Sequence, residues 1–397
     1  MASICVMASL SLRPQAGPLR LLLLALLAMA ISGCIPRGSR PTQPPPPEAG
    51  PAQPEEPSRL PPDETRNRVA VLVPLTGENA GLGQSLLNAA NLALFDTGGQ
   101  RIRITAYDTG RGAAQAVNEA LADGSGLILG PLLAEDVRVV APIAARRGVP
   151  VIAFSNDDSV AGGNVYLMGL DPGQSVRRVV NYARSRGAQR FAALVPDNVY
   201  GERARRALTQ AVEGAGGSLV GIETYARSAT GLRAAADRLR ARGRADAVLI
   251  ADGARIAVQV APALREVSPQ PRILGTELWA TESDLGAQVP LRGAWFAAPS
   301  DGNFAAFSQR YRARYNSRPY RLATLGYDAV LLTVRIAADW PVGRRFPERA
   351  LRDPAGFAGV DDAFRFSGNG VAERALEVRE VTASGASVAS PAPRGFN

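Results

Sequence analysis

The side chains that could carry out chemistry in this chain are mostly carboxylates, because two common catalytic residue types are missing. The 397 residues include no histidine and no lysine, so all 45 basic residues are arginine. Without histidine the chain lacks the commonest general base and metal ligand. Without lysine it lacks phosphate-loop and Schiff-base chemistry. Carboxylate catalysis needs two acids about 5–10 Å apart, and the sequence forces no such pair together. We therefore expect a binding protein, not an enzyme, with no cofactor and no metal.

A second reactive group is the thiol of Cys34, which ends a segment typical of a lipoprotein signal peptide. Arg13 and Arg20 precede or border the apolar run Leu21–Ile31, which is too short to span a membrane. The two small residues before Cys34 resemble a lipobox, in which the cysteine thiol receives a diacylglycerol. The alternative is an ordinary secretory signal peptide. We expect residues 1–34 to be a lipoprotein signal peptide and the membrane to be reached through the lipid anchor only.

The segment after Cys34 is predicted to be a disordered tether. Residues 35–66 are rich in proline, including the run Pro44–Pro47, and such chain adopts an extended conformation of about 3.1 Å per residue. Roughly 30 residues could then hold the folded part up to about 90 Å from the membrane. Ile35 stands where an aspartate marks inner-membrane retention in well-studied lipoproteins. We therefore expect the periplasmic face of the outer membrane.

The net charge of +9 raises the question of an anionic partner. A nucleic-acid interface needs clustered basic residues with aromatic residues between them. Here the arginines are spread along the chain, often at helix-surface spacing, as at Arg203, Arg205 and Arg206. We expect a solvated basic surface and no nucleic-acid partner.

From residue 67 onward, short apolar strands alternate with amphipathic helices. Val69–Val73 is typical of a strand buried on both faces, and Leu86, Ala90 and Leu94 follow at helical spacing. The pattern begins again near residue 172. It predicts an α/β fold of two lobes, with parallel sheets around a central cleft. We place lobe 1 at 67–172 plus 299–345, and lobe 2 at 173–298 plus 346–390.

Tight turns follow several of the predicted strands, and they indicate where a ligand would bind. They are Pro74–Gly77, Gly130–Leu132, Ser155–Asp157 and Pro196–Asn198. Open parallel sheets bind ligands beyond the carboxyl ends of their strands. The turns of the two lobes are therefore expected to face each other across the cleft.

These turns also carry a family resemblance. Four segments are similar, in this order, to type I periplasmic binding proteins of the leucine/isoleucine/valine-binding class: VAVLVPLTGENAGLGQSLLNAANLALFD at 69–96, GPLLAEDV at 130–137, PVIAFSNDDS at 150–159 and VPDNVYGERARRAL at 195–208. ATLGYDAVLL at 323–332 resembles the long helix that returns to the first lobe. The resemblance implies the type I periplasmic-binding-protein fold.

Within that superfamily, two further segments resemble the LppC/LpoA-type penicillin-binding protein activator lipoproteins. They are ILGTELWA at 273–280 and GFAGVDDAFRFSGNGVAERALEVREV at 356–381. The resemblance implies an outer-membrane lipoprotein that binds and activates a peptidoglycan synthase, a class A penicillin-binding protein. Enterobacterial members have an added N-terminal helical-repeat domain, where this chain has only the tether. The alternative is the substrate-binding protein of an ABC importer for branched-chain amino acids or a related small molecule.

The resemblance also implies candidate residues for a small-molecule ligand in the cleft. In the first lobe they are Thr76, Gly77, Ser155, Asn156 and Asp157, and in the second lobe Tyr200, Asp252 and Glu277. Glu277 falls where relatives place the acid that binds the ligand ammonium group.

The sequence departs from the family pattern at Glu135. Relatives offer serine or threonine hydroxyls to the ligand carboxylate there, whereas this chain has Ala134, Glu135 and Asp136. Since carboxylates repel each other, we expect a ligand other than an α-amino acid. Alternatively, the two acids stabilise the first turn of a helix.

Overall fold

The computed structural model of the chain describes residues 65–266, 270–282, 284–393 and 396. The predicted signal peptide with Cys34, and the predicted tether apart from its last two residues, lie outside the described residues. The strands are β1 Asn67–Val73, β2 Ile102–Asp108, β3 Leu127–Leu129, β4 Val151–Ala153, β5 Val165–Leu167, β6 Arg190–Pro196, β7 Ser218–Tyr225, β8 Ala247–Ile250, β9 Arg272–Gly275, β10 Trp295–Ala298, β11 Phe357–Gly359, β12 Asp362–Phe366, β13 Ala372–Arg374, β14 Glu377–Thr382 and β15 Gly385–Ser390. The α-helices are α1 Ala80–Thr97, α2 Ala113–Ala122, α3 Ala134–Arg146, α4 Pro172–Ser185, α5 Val199–Gly214, α6 Ala229–Ala241, α7 Ala254–Leu264, α8 Gly302–Tyr315 and α9 Thr324–Ala337.

The first sheet is parallel and has five strands in the order β2-β1-β3-β4-β5. Alternate residues of a strand point to opposite faces, and β1 places apolar side chains on both. Val69, Val71 and Val73 lie in one core, whereas Ala70 and Leu72 lie in the core on the other face. Helices on both faces bury this strand, which is the α/β arrangement that the sequence predicts.

The second sheet has seven strands in the order β15-β14-β10-β9-β8-β6-β7. Strands β6 to β10 are parallel, whereas β14 is antiparallel to β10, and β15 to β14. The prediction of an α/β fold is confirmed, but this sheet is mixed and not purely parallel. Parallel neighbours need a long crossover connection, while antiparallel strands can be joined by two residues. Only Ala383 and Ser384 separate β14 from β15, so this pair must be antiparallel.

The chain crosses back to the first sheet after β10. Phe307 of α8 and Val330 of α9 lie in the same core as Val71 of β1. Residues from Phe346 to Ala372, which include a small antiparallel sheet in the order β11-β12-β13, also contribute to that core. The division into two lobes at the boundaries given above stays a prediction. Among the described helices, none has both the length and the apolar composition needed to cross a bilayer.

In each sheet, a helix glycine packs directly against the backbone carbonyl group of a proline at the end of a strand. A Cβ atom on Gly83 of α1 would lie 1.8 Å from the carbonyl oxygen of Pro74, just after β1. A Cβ atom on Gly201 of α5 would lie 1.9 Å from the carbonyl oxygen of Pro196, which ends β6. Any residue with a side chain would therefore push the helix away from the strand end. Glycine at both places positions the turns that border the candidate site.

Candidate ligand-binding cleft

A cavity of about 250 Å³ lies where the carboxyl ends of strands from both sheets meet. Its volume is slightly below the range of about 300–1,000 Å³ for small-molecule sites. The wall is mainly apolar and includes Leu82, Leu132, Leu133, Phe154, Leu170, Leu278, Ala280, Pro299 and Leu322. The polar residues of the wall are Asn79, Asn156, Glu277, Thr281 and Arg321. Of the candidate residues from the sequence, Asn156 and Glu277 line this cavity.

Glu277 is held at the cavity by a short turn that follows β9. The turn Glu277–Thr281 is a 3₁₀ helix, and Trp279 fixes its inner side. The Trp279 indole is fully buried and its Nε1–H donates to the carbonyl oxygen of Asp252 at 2.9 Å. A Cβ atom on Gly275 would lie 2.4 Å from the Trp279 ring. The glycine thus lets the indole pack under the turn, and the packed indole fixes where Glu277 projects.

The carboxylate of Glu277 is buried and receives two hydrogen bonds from hydroxyl groups. Ser175 of α4 donates to Oε2 at 2.5 Å, and Tyr200 of α5 donates to Oε1 at 2.9 Å. Burial raises the pKa of Glu277 to about 6. Among the described residues no arginine forms an ion pair with it, so at neutral pH the site holds a buried negative charge without a cation. Such a site can accept a positively charged ligand group.

Tyr200 supports Glu277 from the second sheet. Its hydroxyl lies 2.9 Å from both Glu277 Oε1 and Thr276 Oγ1. Burial and the nearby Glu277 charge raise the pKa of Tyr200 well above its ordinary value. The hydroxyl therefore keeps its proton and remains a donor to the carboxylate. Asn198 caps the helix that carries Tyr200 by accepting from the Gly201 N–H at 2.9 Å.

Asp252 is buried but its carboxylate is already bound by protein groups. Arg227 donates to it through Nε at 3.0 Å and Nη2 at 2.9 Å, and the Tyr225 hydroxyl donates at 2.8 Å. The N–H of Gly253 adds a fourth hydrogen bond at 2.8 Å. The Arg227 charge compensates the negative charge of Asp252. Asp252 therefore stabilises the second sheet, and few of its acceptor sites remain for a ligand cation.

Thr76 and Gly77 lie in the turn after β1, outside the cavity wall. The Thr76 hydroxyl donates to Asp108 Oδ2 at 2.8 Å, and the Leu75 N–H donates to Oδ1 at 2.7 Å. Gly77 has φ of 80°, in the left-handed region that favours glycine. These contacts fasten the turn to the end of β2 and occupy the threonine hydroxyl.

Glu135 lies exposed in the first turn of α3 and does not line the cavity. Asp136 beside it is half-buried. Burial raises the pKa of Asp136. Both acids sit at the positive end of the helix dipole, where a carboxylate stabilises the helix by about 0.3–1 kcal/mol. Their positions suit the helix-stabilising alternative.

Ser155, Asn156 and Asp157 form the turn after β4, and an arginine of the second sheet holds that turn. Asp157 is buried, forms an ion pair with Arg203 Nη2 at 2.7 Å and accepts a hydrogen bond from Arg138 Nη2 at 2.9 Å. Arg203 Nη1 also donates to the carbonyl oxygen of Asn156 at 3.1 Å. We call these contacts of Arg203 with Asn156 and Asp157 the Arg203 bridge. It connects the first sheet's turn to helix α5 of the second.

Asp157 has a second, local role in that turn. Its Oδ1 accepts from the Ser159 N–H at 3.0 Å, and its own N–H donates to Ser155 Oγ at 3.1 Å. Ser155 and Asp157 are therefore both engaged within the protein. Asp157 thus caps the short 3₁₀ turn Asp158–Val160.

The expectation that Arg203 belongs to a solvated basic surface is wrong, because its side chain is only 11% exposed and pairs with Asp157. Sequence reasoning missed Arg321 and the apolar wall. Arg321 lies almost buried at the cavity, and its Nη1 donates to Asp361 at 2.5 Å. Its guanidinium also lies 4.5 Å from the ring centre of Phe304. The paired leucines that follow Gly130-Pro131 were the available signal for an apolar wall. No local pattern marks Arg321, because its partner Asp361 is 40 residues away.

Comparisons with known proteins agree with this architecture. A family model described as periplasmic binding protein matches residues 67–386. The leucine/isoleucine/valine-binding resemblance and the fold predicted from it are thereby confirmed. Among curated proteins, an uncharacterized protein of Rickettsia prowazekii is 25% identical over 136 residues, which is 34% of this chain and 36% of that protein. The penicillin-binding protein activator LpoA of Pantoea ananatis is 28% identical over 120 residues, or 30% of this chain and 17% of that protein. The matched stretches thus span about a third and a sixth of these relatives.

Solved structures share the fold over nearly their whole length. A putative branched-chain amino acid ABC transporter protein from Rhodospirillum rubrum has a TM-score of 0.70 and 20% identity, covering 81% of this chain and 99% of that one. A solute-binding protein from Rhodopseudomonas palustris, in complex with 3,4-dihydroxybenzoic acid, has a TM-score of 0.65 and 17% identity, covering 84% and 98%. This family and fold are those of binding proteins rather than enzymes. With the family model matching most of its length, the chain belongs to the periplasmic binding protein family.

Proposed function

We propose that this protein is a periplasmic receptor whose cleft binds a small molecule through a protonated amine. The observation that carries the proposal is the buried Glu277 carboxylate, which has hydroxyl donors but no cationic partner among the described residues. A buried ion without a counter-charge is unfavourable. A ligand ammonium group would supply that charge.

The apolar wall of the cleft indicates that the part of the ligand beyond its ammonium group is apolar. Leucine and phenylalanine side chains form most of the surface around Glu277. The Thr76 hydroxyl, which the family resemblance assigns to a ligand carboxylate, already donates to Asp108, and neither Thr76 nor Ser155 lines the cavity. We therefore propose an apolar amine without an α-carboxylate as the ligand class.

A thermal-shift panel tests this proposal. Primary alkyl and arylalkyl amines should raise the melting temperature at pH 7.5, whereas leucine, isoleucine and benzoate should not. A ligand at 100 times its dissociation constant adds about 2.7 kcal/mol to the free energy of unfolding, which such a panel resolves. Stabilisation by amino acids or aromatic acids alone would contradict the proposed ligand class, and a flat panel would contradict the proposal itself.

The affinity for an amine is expected to depend on pH. Only ionised Glu277 attracts an ammonium group, and its pKa is raised to about 6. Affinity should therefore be constant above about pH 7 and fall by up to about tenfold per unit below pH 6. Titration calorimetry between pH 5 and pH 8, with an amine that stays protonated throughout, would measure this. An affinity that rises on acidification would be inconsistent with Glu277 as the binding group.

A second function, activation of a peptidoglycan synthase, is favoured by the local similarity to LpoA. It is supported by the predicted lipid anchor at Cys34 and the proline-rich tether, which would let the folded part reach a partner away from the outer membrane. The partner we propose is a class A penicillin-binding protein. The alternative that the chain serves an ABC importer rests on the fold shared with substrate-binding proteins.

Mixing experiments separate these two roles. If the protein is an activator, a class A penicillin-binding protein from the same cell should co-purify with it and polymerise glycan chains faster in its presence. A Cys34→Ser variant should keep this effect in solution but lose membrane attachment. An unchanged polymerisation rate, together with loss of amine uptake on gene deletion, would favour the importer role instead.

A further inference from the structure

A second cavity, larger and more polar than the cleft, has Arg203 in its wall. Its volume is about 390 Å³, and none of its lining residues lines the cleft. Helices α4 and α5, the residue after the Asp157 turn and the turn between β12 and β13 enclose it. We call it the polar cavity. Its volume falls within the range of small-molecule binding sites.

Three of the charged residues around the polar cavity already have protein partners. Arg203 binds Asp157, and Glu373 accepts from Arg365 Nε at 2.9 Å. Asp171 caps α4 by accepting from the Gly173 N–H at 2.9 Å. These groups define the walls, and their charges are at least partly satisfied within the protein.

Three other charged residues of the cavity wall are exposed to solvent and have no such protein partner among the described residues. Arg177 of α4 and Arg206 of α5 line the polar cavity, and neither guanidinium makes an ion pair or hydrogen bond to any described residue. The carboxylate of Asp158 lines it as well and is likewise without such a partner in the described part of the chain. The cavity thus presents two positive charges and one negative charge that are solvated and can pair with a ligand.

The negative charges on one side of the cavity point to a cationic group there. Asp158 and Asp171 both line it. Burial raises the pKa of Asp171 and the charge of Asp158 adds to this rise, whereas the Gly173 N–H and the charges of Arg177 and Arg203 oppose it. A positive ligand group between these two acids would relieve their repulsion, just as carboxylates would pair with Arg177 and Arg206. Guanidinium groups bind carboxylates in bidentate geometry.

We propose that the polar cavity is a binding site for a small molecule with two carboxylates and one ammonium group, of the size of a short acidic peptide. Arg177 and Arg206 bind the carboxylates, and Asp158 binds the ammonium group. The site is separate from the cleft, since the two cavities share no lining residue.

Titration calorimetry with three dipeptide probes tests the proposal on the full chain. Alanylglutamate carries both carboxylates and the ammonium group, alanylglutamine lacks one carboxylate, and N-acetyl-alanylglutamate lacks the ammonium group. Loss of one charged contact is expected to weaken binding about tenfold. Alanylglutamate should therefore bind about tenfold more tightly than either of the other two probes. Inorganic phosphate binding as tightly as alanylglutamate would overturn the assignment, because the site would then attract anions in general.

Variants assign the contacts. Arg177→Gln and Arg206→Gln should each weaken alanylglutamate binding about tenfold. Asp158→Asn should remove the preference for alanylglutamate over its N-acetyl form. Arg205→Gln is the matched control, since Arg205 is on the same helix but pairs with Glu202 and does not line the cavity. Glu277→Gln should leave dipeptide binding unchanged, so failure of the cleft proposal is separable from failure here. No binding of alanylglutamate, or equal loss in Arg205→Gln, would refute the site.

Discussion

The Glu277→Gln variant is expected to bind a cleft amine at least about 100-fold more weakly than the unchanged protein and to unfold at a higher temperature at pH 7.5. The loss of binding follows because the amide has no charge for the ammonium group. Its oxygen can accept from Ser175 or Tyr200 but not from both, and its NH₂ group faces the other hydroxyl. A charge-assisted contact in a buried site contributes about 3 kcal/mol or more, which is roughly 100-fold in affinity.

The gain in stability follows from the raised pKa of Glu277. Its value changes from 4.5 to about 6 on folding, so the folded state holds the proton more tightly than the unfolded state. The contribution to stability is therefore fully present below about pH 4.5 and is lost as the pH rises through about 6. The loss amounts to about 2 kcal/mol, and the neutral amide avoids it.

Chemical denaturation at pH 4.5 and pH 7.5 would measure this difference. The unchanged protein should lose more stability between the two pH values than Glu277→Gln does. Glu202→Gln serves as control because Glu202 is exposed and lies away from the cleft. If Glu277→Gln bound amines as tightly as the unchanged protein, the proposed function would be contradicted, whatever the stability of the variant.

Trp279→Ala is expected to lower the free energy of unfolding by about 3–5 kcal/mol. The indole is fully buried in the second sheet's core, packs beside Phe296 and donates to the Asp252 carbonyl. Its removal leaves a cavity and an unmatched carbonyl group. It also removes the support of the turn that positions Glu277, so amine affinity should fall at temperatures where the variant is still folded.

Trp340→Ala provides the matched comparison. Trp340 is equally buried, donates to the carbonyl of Arg344 at 2.8 Å, and lies in the core of the first sheet. Urea unfolding should give a similar loss of stability for both variants, while calorimetry should give reduced amine affinity for Trp279→Ala alone. Equal affinity losses in the two would indicate a general effect of destabilisation and not a role for the Trp279 turn.

The elements with strong apolar periodicity could be predicted from the sequence. Strand β1 and helix α1 match the predicted segments. Both carry a clear apolar pattern in the sequence because their apolar side chains are buried against one sheet. The short strands β11 to β13 were not predicted, since three to five residues carry too little pattern to be distinguished from a loop. The antiparallel pair at the chain's end was missed because its outer strand is largely exposed and lacks an apolar run.

The family resemblance predicts a candidate site residue well only where the structure also leaves that residue buried without a protein partner for its charge. Glu277 came from the resemblance, and its buried, uncompensated carboxylate fits the role assigned there. Asp252 came from the same source, yet Arg227 satisfies it. The two acids look alike in sequence, and what separates them is a partner that folding brings close. Arg203 could not be foreseen for the same reason, because Asp157 belongs to the other sheet.

Arg203 lies in the wall of the polar cavity and also holds the turn beside the cleft. A carboxylate that draws one of its nitrogens away from Asp157 would loosen the hold of α5 on the first sheet, and so change the work needed to separate the sheets. Thermodynamic linkage makes such an effect mutual. A cleft ligand that favours a wider cleft would in turn make Arg203 more available to a carboxylate ligand in the polar cavity. Through one guanidinium group, binding of a ligand at either site would thus change the affinity of the other site for a chemically different ligand.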